Sequence, residues 1–135
     1  MPGFGSPSYY GAATQTATAT GTYTITIANT ATTPSASGTA FNLSGGPAPT
    51  SGKWHLRVVN GTTTATISIT VQVSDGTNTW TVGGFSMGSG YTLTTGYLDH
   101  TEEFKTDVSI TSVIAIVVVG GTATSVPIDV EVSLV

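Results

Sequence analysis

The segment from Lys53 to Val73 leaves little choice of secondary structure. Trp54, Leu56 and Val58 alternate with Lys53, His55 and Arg57. After Asn60-Gly61, the apolar residues Ala65, Ile67, Ile69, Val71 and Val73 alternate with Thr, Ser and Gln. Strict period-two alternation marks strands with one dry and one wet face, and Asn-Gly is the strongest two-residue hairpin signal. A type I′ turn on Asn60-Gly61 pairs Leu56 with Ala65 and Trp54 with Ile67, and on the other face Arg57 with Thr64 and His55 with Thr66. A slip of one residue would carry apolar side chains to the wet face, so this hairpin register is the expectation.

The same pattern recurs along the chain. Tyr23, Ile25 and Ile27 oppose Thr22, Thr24 and Thr26, and Asp75-Gly76 forms a second turn into Thr79, Trp80, Thr81 and Val82, with Trp80 expected inside beside Val71 or Val73. A Gly-rich bend encloses Phe85 and Met87. Tyr91 to His100 then reads as a loop before a strand near Glu103 to Asp107. Ile110 to Val119 follows, and last a strand with Val126, Ile128, Val130, Val132 and Leu134 on one face and Pro127, Asp129, Glu131 and Ser133 on the other. Between Asn29 and Gly52, Pro34, Pro47 and Pro49 forbid a central strand, leaving Phe41-Asn42-Leu43 as a short one. No stretch has helical periodicity. With 28 Thr, 14 Ser and 17 Gly among 135 residues, composition also favours strands and turns over helix. The expected fold is all-β, a jelly-roll-like antiparallel β-sandwich of about eight strands; an immunoglobulin-like sandwich is second, because strand count does not set strand order.

A chain of this length holds one domain. Its expected division is an extended N-terminal arm over 1–21 and a single sandwich over 22–135. The arm joins a Gly/Pro/aromatic head ending in Tyr9-Tyr10 to an Ala/Thr tract, Ala12 to Thr20, that has no large apolar side chain and cannot fold alone. It either frays or lies along a neighbouring surface.

Only 7% of residues are charged, with Lys53, Arg57 and Lys105 against seven acids and a net charge of -4. That balance provides no footprint for a nucleic-acid backbone or an anionic membrane surface. The start lacks the basic and apolar regions of an export signal, and the apolar run Val113 to Val119 is far short of a membrane helix. Thr and Ser on the outward faces argue against a lipid-facing barrel. With no cysteine, disulfide frameworks and Cys-rich zinc sites are excluded.

The densest group of ionisable residues is Asp99, His100, Glu102, Glu103 and Asp107, which could be a metal site or a carboxylate pair with a histidine base. Glu102 and Glu103 point to opposite sides of any strand, and His55 lies far away in sequence, so a solvated loop is the expectation. No nucleophile, zinc, phosphate-loop or calcium motif occurs, and Ser74-Asp75-Gly76-Thr77-Asn78 reads as a hairpin tip. No catalytic residue, metal, cofactor or small-molecule substrate is expected. Trp54 and Trp80 fall on the buried face, which leaves Tyr91, Tyr97, Tyr9 and Tyr10 as aromatics available to a ligand such as a sugar. Lys53 and Arg57 share one outer face, as do Asp129 and Glu131; if those strands are neighbours, the charges form a structural cross-strand ladder.

Val113, Ala115, Val117 and Val119 face one way along their strand and Ile114, Ile116 and Val118 face the other, so both faces need cover. Either the Asn29 to Gly52 loop or the arm supplies it within one chain, or a second subunit does. Tyr9, Tyr10 and Val113 to Val119 are therefore the candidate interface residues. Threonine-rich outer faces lose little desolvation energy when covered, which suits a protein packed against other proteins.

The Ala12 to Thr20 arm, the Ser74-Asp75-Gly76-Thr77-Asn78-Thr79-Trp80 tip, the apolar Ile110 to Val119 strand and the lack of charge together resemble the cysteine-free, Thr/Gly-rich decoration proteins of tailed-bacteriophage heads, also called cement or head auxiliary proteins. The resemblance covers the whole chain in style. It implies a jelly-roll or related β-fold, a trimeric homo-oligomer, the major capsid protein as partner, and a place on the outer surface of the virion after synthesis in the host cytoplasm. Two other expectations stand beside it: a carbohydrate- or receptor-binding module of a tail, fibre or cell surface, and a minor capsid or shell subunit.

Overall fold

A computed structural model describes residues 9–27, 49–88 and 91–134. Among these residues the chain forms eight strands, β1 (Tyr9–Ala17), β2 (Gly21–Ile27), β3 (Ser51–Val58), β4 (Ala65–Ser74), β5 (Thr79–Ser86), β6 (Leu98–Lys105), β7 (Ser112–Gly121) and β8 (Val126–Leu134), and one 3-10 turn at Thr94–Gly96. They form two four-stranded sheets, β1-β8-β3-β6 and β2-β7-β4-β5. All pairings are antiparallel. The two sheets are open and face each other with jelly-roll topology, which decides between the two sandwiches that the sequence left open.

The pairing has a simple logic. β1 pairs with β8, β2 with β7, β3 with β6 and β4 with β5, so the chain is one long hairpin rolled over on itself, with the β4-β5 connection at its tip. A rolled hairpin has a single tight turn; its other turns are corners between sheets. Asp75 forms the tight one. Its Oδ1 accepts hydrogen bonds from the amides of Thr77 and Asn78, both at 2.8 Å, and its own amide donates to the Asn78 carbonyl.

Asn60-Gly61 is a corner. The β3-β4 hairpin register expected from the sequence does not form, because β3 and β4 lie in different sheets. The side-chain faces are nonetheless as expected: Trp54, Leu56 and Val58 look across the core towards the sheet that holds Ala65, Ile67, Ile69, Val71 and Val73, instead of lying beside them. Asn60 adopts the left-handed conformation, φ 61°, that the Asn-Gly pair favours. The Gly61 amide then donates to the Gly96 carbonyl at 2.8 Å, and Gly96, at φ 70°, sits so close that a Cβ would lie 2.3 Å from the Gly61 oxygen. The corner is thus pinned to the 3-10 turn. Gly96→Ala, which meets backbone and a left-handed φ together, should lower the melting temperature by several degrees.

Residues 9–17 correct the reading of the Ala/Thr tract as an arm. They form an edge strand of the sandwich, paired with β8 from Tyr9↔Leu134 to Ala17↔Val126. Gly11, Ala13 and Ala17 turn inward and are buried, and Thr14 and Thr16 turn outward. The tract does lie along a surface, and that surface is its own sheet. Tyr91 to His100 is likewise not all loop, since β6 begins at Leu98. Phe41-Asn42-Leu43 lies outside the described residues.

The core between the sheets takes Ile25, Ile27, the inward residues of β3, β4, β7 and β8, and Phe104, with Leu93, Ile110 and Ala123 plugging the ends. Trp54 is fully buried, as expected. Trp80 is not. It pairs with Val73 but is 36% exposed, because β5 is an edge strand whose register shifts at Val71/Gln72.

Candidate functional site

The strand register sorts the chemistry of the molecule onto its two outer faces. On β1-β8-β3-β6, Arg57 lies between Asp129 of β8 and Asp99 of β6, His55 between Glu131 and Thr101, and Lys53 between Ser133 and Glu103. This is the cross-strand ladder expected if β3 and β8 were neighbours. Lys105 ends the same face, opposite Ser51. All three Lys and Arg residues and four of the seven carboxylates therefore share one sheet surface.

Within that ladder, His55 Nε2 lies 2.6 Å from Asp99 Oδ1, and the Tyr97 hydroxyl donates to Asp99 Oδ2 at 3.0 Å. These hydrogen bonds, His55's first, hold the Asp99 carboxyl below its ordinary range. The fold therefore favours the Asp99 carboxylate, and that stabilisation is lost as pH falls through the lowered folded value. At the β1 end, burial first, and then a hydrogen bond to Glu131, push the Tyr10 phenol up to about 12. Its contribution is fully present below pH 10.0, the ordinary tyrosine value, and disappears as pH rises through the folded value. Tyr97 is raised in the same sense by its hydrogen bond to Asp99. The melting temperature should thus fall more steeply above pH 10 than in Tyr10→Phe, measured by thermal denaturation across the alkaline range.

A second histidine-carboxylate pair closes the sandwich between β5 and β6. His100 Nε2 is 2.9 Å from Glu102 Oε2, and the His100 ring packs on Phe85 at 4.2 Å and on Trp54 at 5.3 Å between centroids. Gly83 makes room for this group: a Cβ there would sit 2.9 Å from Glu102 Oε1 and 3.1 Å from Trp54 Nε1. Glu103 points away from Glu102, as the alternation requires. Asp99, His100, Glu102 and Glu103 therefore split between two sides of β6 and do not converge. Among the described residues, no group of three or more His, Asp or Glu could hold a metal ion. The sequence placed His55 far from this cluster and missed its pairing with Asp99; the two residues are 44 apart and meet only through the β3-β6 register.

The outer face of β2-β7-β4-β5 is the opposite in character. Across its strands the rows run Thr22, Val118, Ser68, Ser86; Thr24, Ile116, Thr70, Gly84; and Thr26, Ile114, Gln72, Thr81. None of the ten charged residues of the chain lies on it. The candidate interface residues of β7 divide here. Val113, Ala115, Val117 and Val119 are taken up by the core, and Ile114, Ile116 and Val118 form an aliphatic stripe outside, with Val118 44% exposed. Val118 edges a groove of about 280 Å³ lined by Thr66, Ser68, Ser86, Met87 and Gly120. Tyr9 lies opposite Leu134 in β1, and Tyr10 is half-buried with its hydroxyl turned to Glu131.

No protein-family model matches the chain, and no curated protein matches it. Among solved structures it is similar to a chain in the structure of infectious bursal disease virus Gt strain, with 18% identity and a TM-score of 0.38. The match covers 90% of this chain and 33% of that one, so the chain spans about a third of the length of the viral chain.

Proposed function

We propose that this chain is a structural virion protein, a cement or decoration protein that binds the outer surface of a phage capsid lattice and stabilises the head by bridging major capsid proteins. The observation that carries the reading is the separation of its two faces. One sheet surface holds all the cationic side chains in a ladder, and the other has no charge and an aliphatic stripe that is half-buried at Ile114 and Ile116 and exposed at Val118. An uncharged face of Thr, Ser and aliphatic groups sheds water at little cost and suits permanent contact with protein. The jelly-roll frame and the resemblance drawn from composition and strand pattern support the same reading, and that resemblance implies a trimeric homo-oligomer that would reach neighbouring capsomers.

The mechanism is mass action. A protein that binds only the assembled lattice stabilises it by its binding free energy, repeated over many sites. Particles lacking the chain should release their contents at a lower temperature, and adding the purified chain should restore the higher one. An unchanged release temperature in both cases would contradict the bridging role.

A second reading rests on Tyr91 and Tyr97, 68% and 51% exposed, the latter tied to Asp99 and His55 in a polar network suited to sugar hydroxyls. A glycan array separates the two: specific binding lost in Tyr97→Ala would favour a carbohydrate- or receptor-binding module.

A further inference from the structure

We propose that Asn60 is a site of spontaneous deamidation, that the hydrogen bond from the Gly61 amide to the Gly96 carbonyl sets its rate, and that the isoaspartate product breaks the corner between β3 and β4.

Asn60-Gly61 carries the chemistry in its sequence. The backbone amide that follows an Asn can attack the carboxamide before it, and glycine, with no Cβ, hinders the approach least. Of the four asparagines in the chain, Asn29, Asn42, Asn60 and Asn78, only Asn60 precedes glycine. The Gly61 nitrogen gives its proton to base and bonds to Asn60 Cγ; the Cγ–Nδ2 bond breaks, and ammonia leaves with a proton from solvent. A five-membered succinimide results. Water opens that ring at either carbonyl, giving Asp or, where Cβ is carried into the main chain, isoaspartate. Water is the only co-reactant, and Asn60 is exposed to it.

The fold restrains the nucleophile of this reaction. The Gly61 N–H donates to the Gly96 carbonyl at 2.8 Å, so its proton is withheld from base and its nitrogen cannot swing onto Asn60 Cγ without breaking that bond. Both flanks of the corner resist the movement. A Cβ on Gly61 would lie 2.9 Å from Val58 Cγ1 and 3.0 Å from Leu93 Cδ1, so this residue is packed against two buried side chains. Next along, the Thr62 amide donates to the Ser125 carbonyl at 2.9 Å, and Thr62 Oγ1 accepts from the amides of Thr124 and Ser125 at 3.1 and 3.0 Å. Attack therefore waits for a local opening, and the folded-state rate is the unfolded-chain rate multiplied by the fraction of time the corner is open. Isoaspartate lengthens the main chain by one carbon. With Gly96 already against the Gly61 backbone, the corner has no slack to take it, and the hydrogen bond that delayed the reaction cannot re-form.

The test is peptide mapping by mass spectrometry, with the Asp and isoaspartate products separated, on the full chain incubated in mildly alkaline buffer. The folded chain should convert Asn60 at least ~10-fold more slowly than the chain unfolded in urea, the factor for an opening that breaks two or more hydrogen bonds. Gly96→Ala, whose Cβ presses on the Gly61 backbone, should speed the folded-state conversion several-fold. Should that variant fail to fold, the wild type decides: in urea below the unfolding transition, Asn60 conversion and Gly61 amide hydrogen exchange should rise together. Chains carrying isoaspartate at position 60 should melt below unmodified ones. Asn60→Gly, which accepts the left-handed φ of 61° and has no carboxamide, should never acquire that early-melting fraction.

Equal conversion in the folded and unfolded chains would overturn the proposal. So would a Gly96→Ala variant, or sub-denaturing urea, that exposes the Gly61 amide to exchange without hastening conversion. An unfolded chain in which Asn42 or Asn78 converts before Asn60 would remove the site, and isoaspartate chains that melt with the unmodified protein would remove its effect on the corner. Each outcome is independent of whether the chain is found in particles.

Discussion

Deleting residues 2–20 should leave a chain that does not hold its native sandwich. The deletion removes β1, and with it a nine-residue ladder along β8 and the buried Gly11, Ala13 and Ala17. β8 then becomes an edge strand although Val126, Ile128, Val130, Val132 and Leu134 are all buried at its inner face. At ~0.5–1.5 kcal/mol net per backbone hydrogen bond, the ladder alone is worth several kcal/mol, the same order as the ~5–15 kcal/mol total stability of a domain. Circular dichroism and urea titration should show an unfolded or aggregated product. A variant that melts with the wild type would mean that β1 is dispensable and that the tract is an arm after all. The distinction matters for function, because lattice binding lost on truncation would report unfolding and not a missing contact.

The second large effect is at Trp54. This side chain is fully buried between the sheets, its ring packs on His100, and its indole N–H has no hydrogen-bond acceptor among the described residues. Trp54→Ala should cost about 3–5 kcal/mol through lost burial and a residual cavity. Trp54→Phe should cost much less than that cavity mutation, because it keeps most of the ring volume and also removes a buried donor that gains nothing from folding. Denaturant unfolding of both variants checks the pair of values. Equal losses in the two would show that the N–H is satisfied in solution, with the Glu102 carboxylate beside Gly83 the nearest group able to accept it.

The alternation of apolar and polar residues told correctly which side chains face inward, and it did so for Trp54, Leu56, Ile67, Val117 and Val130 alike. It could not tell in which sheet a strand lies. Two strands with apolar residues at alternate positions satisfy the same pattern whether they are adjacent in one sheet or opposed across the core, and Asn60-Gly61 serves a corner as well as a hairpin. The sequence contains two strong turn signals, and only Asp75-Gly76 is the tip of the rolled hairpin. β1 was hidden for a different reason. Its inward residues are Gly11, Ala13, Gln15 and Ala17, whose hydrophobic contrast with the outward Ala12, Thr14 and Thr16 is nearly nil. Its strand character comes from β8, not from its own side chains.

The surface chemistry was legible in part. The two faces of the Val113 to Val119 strand and the shared face of Lys53 and Arg57 follow from period two alone. The pairing of His55 with Asp99 does not, because it depends on the β3-β6 register across 44 residues. The absence of charge on β2-β7-β4-β5 could be recognised as a property of one face only after strand order had placed β2, β7, β4 and β5 side by side.

The central claim, that this chain is a component of a virion, is tested most directly by its copy number in density-purified particles from the culture that produces it, by quantitative mass spectrometry against the major shell protein. The account predicts a ratio near one copy per shell subunit or another simple fraction set by the lattice. Absence from particles would contradict it; a few copies in each would contradict the lattice role and favour a tail or fibre module.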